Sequence, residues 1–260
     1  MNVIGSSISV KSFDIVVISL LRSSGRRAAA CHQLDATLLP WSFLNAVDGA
    51  ALASLPPEYD GRTRLRNYGR PMSIGQIGCF MSHRMAWKQC VQANRPMLVL
   101  EDDFLLELDL AEVLRLAEAN MQHFDLLKLQ GLNLKQKFTV VKKCGDHQLV
   151  RHHHSPMGTT AYIIKPEIAR LLLEKSRHFH APIDDFLDHD WIHGLKILSL
   201  LPYLVKASGD PSTIACLTVD KLNRWEKMLL RLRRLPRSVR RRVYSMKKSK
   251  YRSLLEIVWN

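Results

Sequence analysis

One ten-residue segment, Met97 to Leu106, constrains the fold of this chain more than any other. It begins with four apolar residues, Met97 to Leu100, which are too few for a helix and show no period-two alternation. Such a run is typical of a strand that is buried on both faces of a sheet, as in α/β proteins. Three carboxylates follow directly: Glu101, Asp102 and Asp103.

Three adjacent anions repel one another and are costly to bury without compensation. Ligands of open α/β sheets bind outside the carboxyl ends of the strands, where this acidic cluster is expected to lie. A divalent metal is one compensating partner. The alternative is that Asp102 and Asp103 begin the next helix, whose N-terminal end favours negative charge.

Length and cysteine content narrow the class of protein. A chain of 260 residues with 47% hydrophobic content is long enough for a sizeable core, and we expect one α/β domain. Its five cysteines are scattered and contain no Cys-x-x-Cys pair, which indicates a reducing compartment and no zinc framework. No apolar run reaches the roughly 18 residues of a membrane span, and no signal-peptide pattern begins the chain. We therefore expect a cytoplasmic protein.

Positive charge is concentrated at one end of the chain. The formal net charge is +14, and residues 221–260 carry fourteen Lys and Arg against two acids, which leaves the rest close to neutral. Leucines and Trp225 are spaced along one face of a possible helix in this tail. A basic amphipathic helix of this kind predicts attachment to an anionic membrane surface, and binding of nucleic acid is the less favoured interpretation. We divide the chain into a leader (1–12), a main domain (13–220) and a basic tail (221–260).

The residues before the acidic segment predict a strand, a basic loop and a long helix. Phe13 to Leu20 has strand composition, and Arg22 and Arg26 in the polar loop that follows can bind a diphosphate, although solvated arginines are commoner. The segment 56–71 is expected to be irregular. Ser73 and Gln76 form a capping-box pattern for a helix that carries Ser82 and His83.

The residues after the acidic segment are predicted to alternate between helix and strand. We expect a helix over 110–121, strands over 125–129 and 159–164, a hairpin over 138–152 and a helix from Pro166 to about Lys175. The three histidines at 152–154 are expected to lie in an exposed loop, because neighbours on an extended chain cannot all face one metal.

A second acidic cluster, residues 184–190, contains four aspartates and His189. If this cluster is considered by itself, solvent-exposed acidic residues on a helix surface are enough to explain it. Two acidic clusters far apart in sequence also suit a site in which one binds metal and the other transfers a proton.

The chain contains Gly78-Cys-x-x-Ser-His83 followed by Leu100-Glu-Asp-Asp103, together with Asn45 to Gly49, Gly158 to Tyr162 and Pro182-Ile-Asp184. These motifs, in this order, resemble those of glycosyltransferase family 25, the lipooligosaccharide-type sugar transferases that include collagen galactosyltransferases. The specific part of the resemblance is the first pair of motifs. The resemblance covers about residues 13 to 206. It implies a GT-A-like (Rossmann-like) mixed sheet with flanking helices, to which the sequence adds a basic helical C-terminal tail.

The resemblance also implies the chemistry of an inverting transferase. The donor would be a nucleotide sugar, most often UDP-galactose, and the acceptor a lipid-linked lipooligosaccharide core, with Mn²⁺ or Mg²⁺ as cofactor. Asp103 is the expected direct metal ligand, and Glu101 contacts the metal or the donor. Asp102, Arg22, Arg26, Ser82 and His83 are the other expected donor-binding residues. Asp184 is the expected base, with Asp185 second. No motif match fixes a third metal ligand, for which His189 and His193 are the candidates.

Two other classes of protein are compatible with the acidic clusters and the basic tail. A metal-dependent phosphohydrolase would use the carboxylates to cleave a phosphoester with water and would need no sugar acceptor. A nucleic-acid-binding or membrane-binding protein would act through the basic tail. A family member without activity is a further possibility.

Overall fold

The computed structural model describes residues 12–131 and 137–209 of the chain. Ten strands lie in this part: β1 (Asp14–Ser19), β2 (Ser42–Asn45), β3 (Met97–Glu101), β4 (Phe104–Leu106), β5 (Leu126–Lys128), β6 (Phe138–Cys144), β7 (His147–His152), β8 (Ala161–Ile164), β9 (Ile197–Leu201) and β10 (Val205–Ala207). Its α-helices are α1 (Ser24–Asp35), α2 (Gly61–Tyr68), α3 (Ile74–Ala93), α4 (Leu110–Glu118), α5 (Pro166–Lys175), α6 (Ile183–Asp188) and α7 (Asp190–His193).

Eight of these strands form one mixed sheet in the order β2-β1-β3-β8-β5-β9-β7-β6. Strands β2, β1 and β3 are parallel, as are β5 and β9, whereas β8 runs antiparallel to both of its neighbours. The carboxyl ends of β1 and β3 therefore meet at one edge of the sheet. Ser19 and Glu101 lie at that edge, so the acidic cluster that begins with Glu101 is located there.

Strand β3 is buried on both faces, as its apolar run predicts. Met97 and Val99 pack with α3 and α5 on one side, and Leu98 and Leu100 pack with α1 and α4 on the other. All four residues are inaccessible to solvent. The sheet is thus the middle layer of an α/β domain, which confirms the predicted GT-A-like fold class.

Several local predictions are confirmed. Ser73 caps α3 and forms the full capping box with Gln76. The hairpin forms between β6 and β7, and α5 begins at Pro166. His153 and His154 are exposed, as expected for that loop, whereas His152 is the last residue of β7 and is half-buried.

Two local predictions are wrong. The segment 56–71 is not irregular, because α2 forms there between the capping residue Asp60 and Gly69, which is left-handed. The acidic cluster also does not begin a helix: β4 follows it and pairs with β10, and α4 starts only at Leu110 with Asp109 as its cap. The β-branched and aromatic content of Phe104 to Leu106 is too small for sequence alone to reveal this strand.

Some predictions fall outside the described residues. These are the leader up to residue 11 and the basic tail, with Cys216 just before it. Within the described part, Cys31, Cys79, Cys90 and Cys144 are all unbridged. No helix in residues 12–131 or 137–209 has the length and apolar character needed to cross a membrane.

Candidate active site

A cavity of about 280 Å³ opens at the carboxyl ends of β1 and β3. One wall is the acidic cluster, a second is the loop after β2, and a third is the first half of α3. The expected site residues that line it are Arg22, Arg26, Ser82, His83, Glu101, Asp102 and Asp103. The residues expected to bind the donor and the metal therefore share one cavity.

The carboxylate of Asp102 is held at both oxygens. Ser19 Oγ donates to Oδ2 at 2.6 Å, and Arg26 donates from a guanidinium nitrogen to Oδ1 at 3.1 Å. Both partners are more than 70 residues away in sequence, on β1 and α1. Asp102 thus connects the end of β3 to β1 and α1 through hydrogen bonds. The Arg26 guanidinium contacts this carboxylate and also lines the cavity.

Glu101 accepts hydrogen bonds from a histidine and a threonine. His83 Nε2 lies 3.1 Å from Glu101 Oε1, and the Thr159 hydroxyl donates to the same oxygen. Burial opposes ionisation of Glu101, but the hydrogen bonds from His83 and Thr159 and the positive charge of Arg26 outweigh it, so its pKa lies below the ordinary value. Glu101 is therefore a fixed anion with about a quarter of its side chain exposed.

Asp103 differs in having one carboxylate oxygen without any such partner in the described part of the chain. Its Oδ1 is buried and accepts no hydrogen bond from the described residues. Burial, followed by the negative charges of Glu101 and Asp102, raises the pKa of Asp103 to about 6, although Arg26 opposes this. A buried, unsatisfied carboxylate oxygen beside two other anions is a fitting ligand for a hard divalent cation.

A second group of possible ligands lies beside it. Ligand atoms of Cys79, His83 and Glu101 fall within 4.8 Å of one another. Burial, and then the charges of Glu101, Asp184 and Asp103, raise the pKa of the Cys79 thiol well above its ordinary value. A thiol that resists ionisation is a poor ligand, and oxygen donors suit Mn²⁺ and Mg²⁺ better. The residues present thus fit a metal at Asp103 more closely than at Cys79.

The loop after β2 reaches the cavity because two glycines let it approach α3 closely. A Cβ on Gly78 would lie 2.6 Å from the Val47 carbonyl oxygen, and one on Gly49 would lie 2.0 Å from that of Ile74. Ser82 Oγ completes this contact by accepting from Val47 N–H at 2.8 Å. The spacing of Gly78 and Ser82 therefore shapes one wall of the cavity.

Arg22 lies on the rim of the cavity. It forms a two-point ion pair with Asp48, at 2.7 and 3.0 Å, while more than half of its side chain stays exposed. The pair lowers the pKa of Asp48, chiefly through the hydrogen bond from Arg22. Its position leaves the guanidinium accessible to an anion that enters from solvent.

The second acidic cluster spans α6 and the first residue of α7, outside the residues that line the cavity. Burial raises the pKa of Asp184, and the charges of Asp188 and Glu101 raise it further. Asp184 is therefore close enough to the cavity to be influenced by Glu101. Asp185 instead acts electrostatically on the buried Arg64.

The candidate third ligands have different environments. His193 is buried, with its ring nitrogens engaged by the Leu187 carbonyl and the Leu195 N–H. Burial lowers the pKa of His193. His189 packs against Trp191, with ring centroids 4.4 Å apart. Both ring nitrogens of His193 are thus hydrogen-bonded to backbone groups of nearby residues in the sequence.

Sequence reasoning missed some residues that contact the acidic cluster. Ser19 and Thr159 each bond one of its carboxylates, and Tyr162 bonds His83. Ser19 is the last residue of β1, Thr159 lies two residues before β8, and Tyr162 lies within β8. Their positions at strand ends beside β3 are the signal that could have identified them.

The fold and the cavity together define a GT-A-like protein with an acidic cluster after a central strand. The sequence pattern of Glycosyltransferase family 25 (LPS biosynthesis protein) matches residues 13–187. The chain therefore belongs to glycosyltransferase family 25, as the motifs indicated.

Three relatives illustrate the range of the family. Procollagen galactosyltransferase 1 of Danio rerio is 28% identical over 185 residues, which is 67% of this chain and 30% of the relative. Inactive glycosyltransferase 25 family member 3 of Homo sapiens is 31% identical over 186 residues, 67% of this chain and 31% of the relative. A putative glycosyltransferase of Haemophilus influenzae is 26% identical over 193 residues, 72% of this chain and 67% of the relative. This chain spans about a third of the length of the animal proteins.

Proposed function

We propose that the protein is an inverting, metal-dependent hexosyltransferase that moves galactose from UDP-galactose to the core saccharide of a lipooligosaccharide. Family membership supports sugar transfer from a nucleotide sugar. The name of the Danio rerio relative supports galactose, and the family's description as an LPS biosynthesis protein supports the acceptor.

The observation that carries the proposal is the unsatisfied Asp103 carboxylate in the cavity. Its buried Oδ1 accepts no hydrogen bond from the described residues, while both neighbouring carboxylates have partners. Asp103 would hold a Mn²⁺ or Mg²⁺ ion, and Glu101 would add negative charge beside it. When bound, such an ion neutralises charge that develops on a departing nucleoside diphosphate.

The cavity offers positive charge for the same leaving group. Arg22 is exposed on the rim, and Arg26 lies inside with one contact to Asp102. Guanidinium groups bind phosphate oxygens through paired, charge-assisted hydrogen bonds. These two arginines would therefore orient the diphosphate toward Asp103.

Inversion in one displacement needs a base for the proton of the acceptor hydroxyl. Asp184 is our candidate, because burial raises its pKa toward the range in which a base acts efficiently at neutral pH. Asp185 is the second candidate and is less favoured, since its charge acts on Arg64.

The proposal is tested with purified protein, UDP-galactose and a truncated lipooligosaccharide acceptor. We expect mass spectrometry to show one added hexose, and NMR to show that the anomeric configuration is inverted. UDP-glucose and UDP-N-acetylglucosamine serve as donor controls. Donor cleavage that is unaffected by any acceptor would instead identify a hydrolase.

We further propose that residues 221–260 attach the enzyme to the inner face of the cytoplasmic membrane. Their charge supports this, since each Lys or Arg near an anionic leaflet contributes about 1 kcal/mol. Truncation after Asp220 should abolish sedimentation with anionic vesicles and leave donor turnover intact. Equal vesicle binding by the truncated protein would contradict the attachment.

A further inference from the structure

A row of buried side chains leads from the core of the protein to Glu101. Trp87 Nε1 lies 2.9 Å from the Tyr162 hydroxyl, which lies 2.9 Å from His83 Nδ1, and His83 Nε2 lies 3.1 Å from Glu101 Oε1. Trp87 and His83 are fully buried and Tyr162 is 1% exposed. The row joins α3 and β8 to the carboxyl end of β3.

The chemistry of these groups fixes the direction of every hydrogen bond in the row. An indole N–H only donates, so the Tyr162 oxygen accepts from Trp87. The single phenolic proton of Tyr162 then finds its acceptor in His83 Nδ1. His83 Nδ1 must carry a lone pair for this, which leaves the proton of the neutral ring on Nε2. From there it is donated to Glu101.

If the hydrogen bond between Tyr162 and His83 ran in the opposite direction, the buried phenolic proton of Tyr162 would have no acceptor in the part of the chain that the structure describes. If His83 Nδ1 carried a proton, the Tyr162 oxygen would accept from both Trp87 and His83. The phenolic proton would then have no acceptor among the described residues, although the Tyr162 side chain is only 1% exposed. An unsatisfied buried donor is costly, so this arrangement is disfavoured.

We infer that Trp87 and Tyr162 hold His83 as its Nε2–H tautomer, so that His83 acts as a hydrogen-bond donor that positions Glu101 and does not bind metal. The Nε2 lone pair that a metal would need is replaced by a proton. The nearby Cys79, His83 and Glu101 therefore do not form a metal centre.

The position of Glu101 has a consequence for ligand binding. His83 and Thr159 both bond Oε1, and the side chain faces the cavity. This leaves Oε2 as the oxygen for a hydroxyl group of the donor. This last step rests on the proposed function, whereas the tautomer of His83 does not.

The tautomer is measured directly by NMR of the full chain with ¹⁵N-labelled histidine. Comparison with His83→Gln assigns the His83 signals among those of the eleven histidines. We expect a protonated Nε2 and a bare Nδ1, unchanged by Mg²⁺ or Zn²⁺. A protonated Nδ1, or loss of the Nε2 proton when Zn²⁺ is added, would overturn the inference whether or not the protein transfers sugar.

Kinetics separate a positioning role from a merely structural one. Tyr162→Phe removes the link to His83 and should raise the KM for UDP-galactose about fivefold with a smaller change in kcat. Tyr59→Phe is the matched control: its hydroxyl accepts from Met72 N–H in the same core, and we expect less than about a twofold change. Equal KM values for the two variants would overturn the role of Tyr162.

Replacement of His83 itself distinguishes a donor from a ligand. A glutamine amide can donate to Glu101 and accept from Tyr162, whereas leucine can do neither. His83→Gln should therefore keep a KM for UDP-galactose at least about fivefold lower than that of His83→Leu. Equal KM values for the two variants would contradict the positioning role even if the NMR result is as expected.

Discussion

Lys128 Nζ lies 2.6 Å from Asp188 Oδ1, and this ion pair joins β5 to the last residue of α6. Lys128 is 2% exposed and also donates to Ser155 Oγ. Asp184 lies four residues before Asp188 and thus one helical turn away. The pair therefore fixes the position of the helix that carries the candidate base.

Removal of one partner should be costly. Lys128→Met leaves the largely buried Asp188 carboxylate without its cation, and we expect a loss of about 3–5 kcal/mol in the free energy of unfolding. Urea denaturation measures it. The double variant Lys128→Met/Asp188→Leu should recover much of that loss, because no unpaired charge remains. If the losses of unfolding free energy in the two single variants simply add in the double variant, the two residues do not stabilise each other.

A methyl group at Gly78 should disturb the wall of the cavity. The added Cβ would lie 2.6 Å from the Val47 carbonyl oxygen, so Gly78→Ala must displace the loop after β2. We expect a loss of about 1–3 kcal/mol in unfolding free energy and a higher KM for UDP-galactose. Gly25→Ala in α1 is the matched control, since nothing lies within 4 Å of its new Cβ. The control should gain up to about 1 kcal/mol from helix propensity.

Asp103 should reduce the stability of the metal-free protein above pH 6. Its pKa rises from 3.8 to about 6 on folding, so the folded state binds more protons than the unfolded state between these values. Stability therefore falls as pH rises through this window. Asp103→Asn removes the effect, and thermal unfolding at pH 7.5 with EDTA should show a gain of up to about 3 kcal/mol. The gain should disappear near pH 4.

The control for this comparison is Asp146→Asn in the exposed turn between β6 and β7. It should not change the free energy of unfolding beyond about 0.5 kcal/mol at either pH. A destabilised Asp103→Asn variant at pH 7.5 would mean that the Asp103 carboxylate has a favourable partner in the folded protein.

Asp184 should set the acidic side of the pH–rate profile. A base acts only when deprotonated, and burial raises the pKa of Asp184, so activity should fall on acidification at a higher pH than an ordinary aspartate would give. Asp184→Asn should lower kcat by about 10²–10⁴-fold and remove this limb. Asp185→Asn is the neighbouring control, with an expected loss below about tenfold. A larger loss in Asp185→Asn would reverse the assignment.

The sequence predicted the parts of the fold that depend on local pattern. The four apolar residues of β3 and the capping box of α3 are recognisable because burial and capping follow from neighbouring residue types. The helix at Gly61–Tyr68 was missed, because its arginine-rich sequence carries little apolar periodicity and lies between prolines.

Much of the site depends on contacts that no local pattern reports. Asp102 bonds Ser19, and His83 bonds Tyr162, across 83 and 79 residues. Motif resemblance brought Asp102 and His83 to attention, but only the fold shows which partners hold them. The difference in environment among Glu101, Asp102 and Asp103 is likewise a product of tertiary packing.

The measurement that tests the account most directly is UDP-galactose turnover by the wild type and Asp103→Asn, with EDTA and with added Mn²⁺ or Mg²⁺. We predict that EDTA abolishes wild-type turnover and that either metal restores it. At saturating metal, Asp103→Asn should remain about a hundredfold or more below the wild type, and Asp146→Asn should match the wild type. Turnover that is unaffected by EDTA and by the Asp103→Asn substitution would contradict the account.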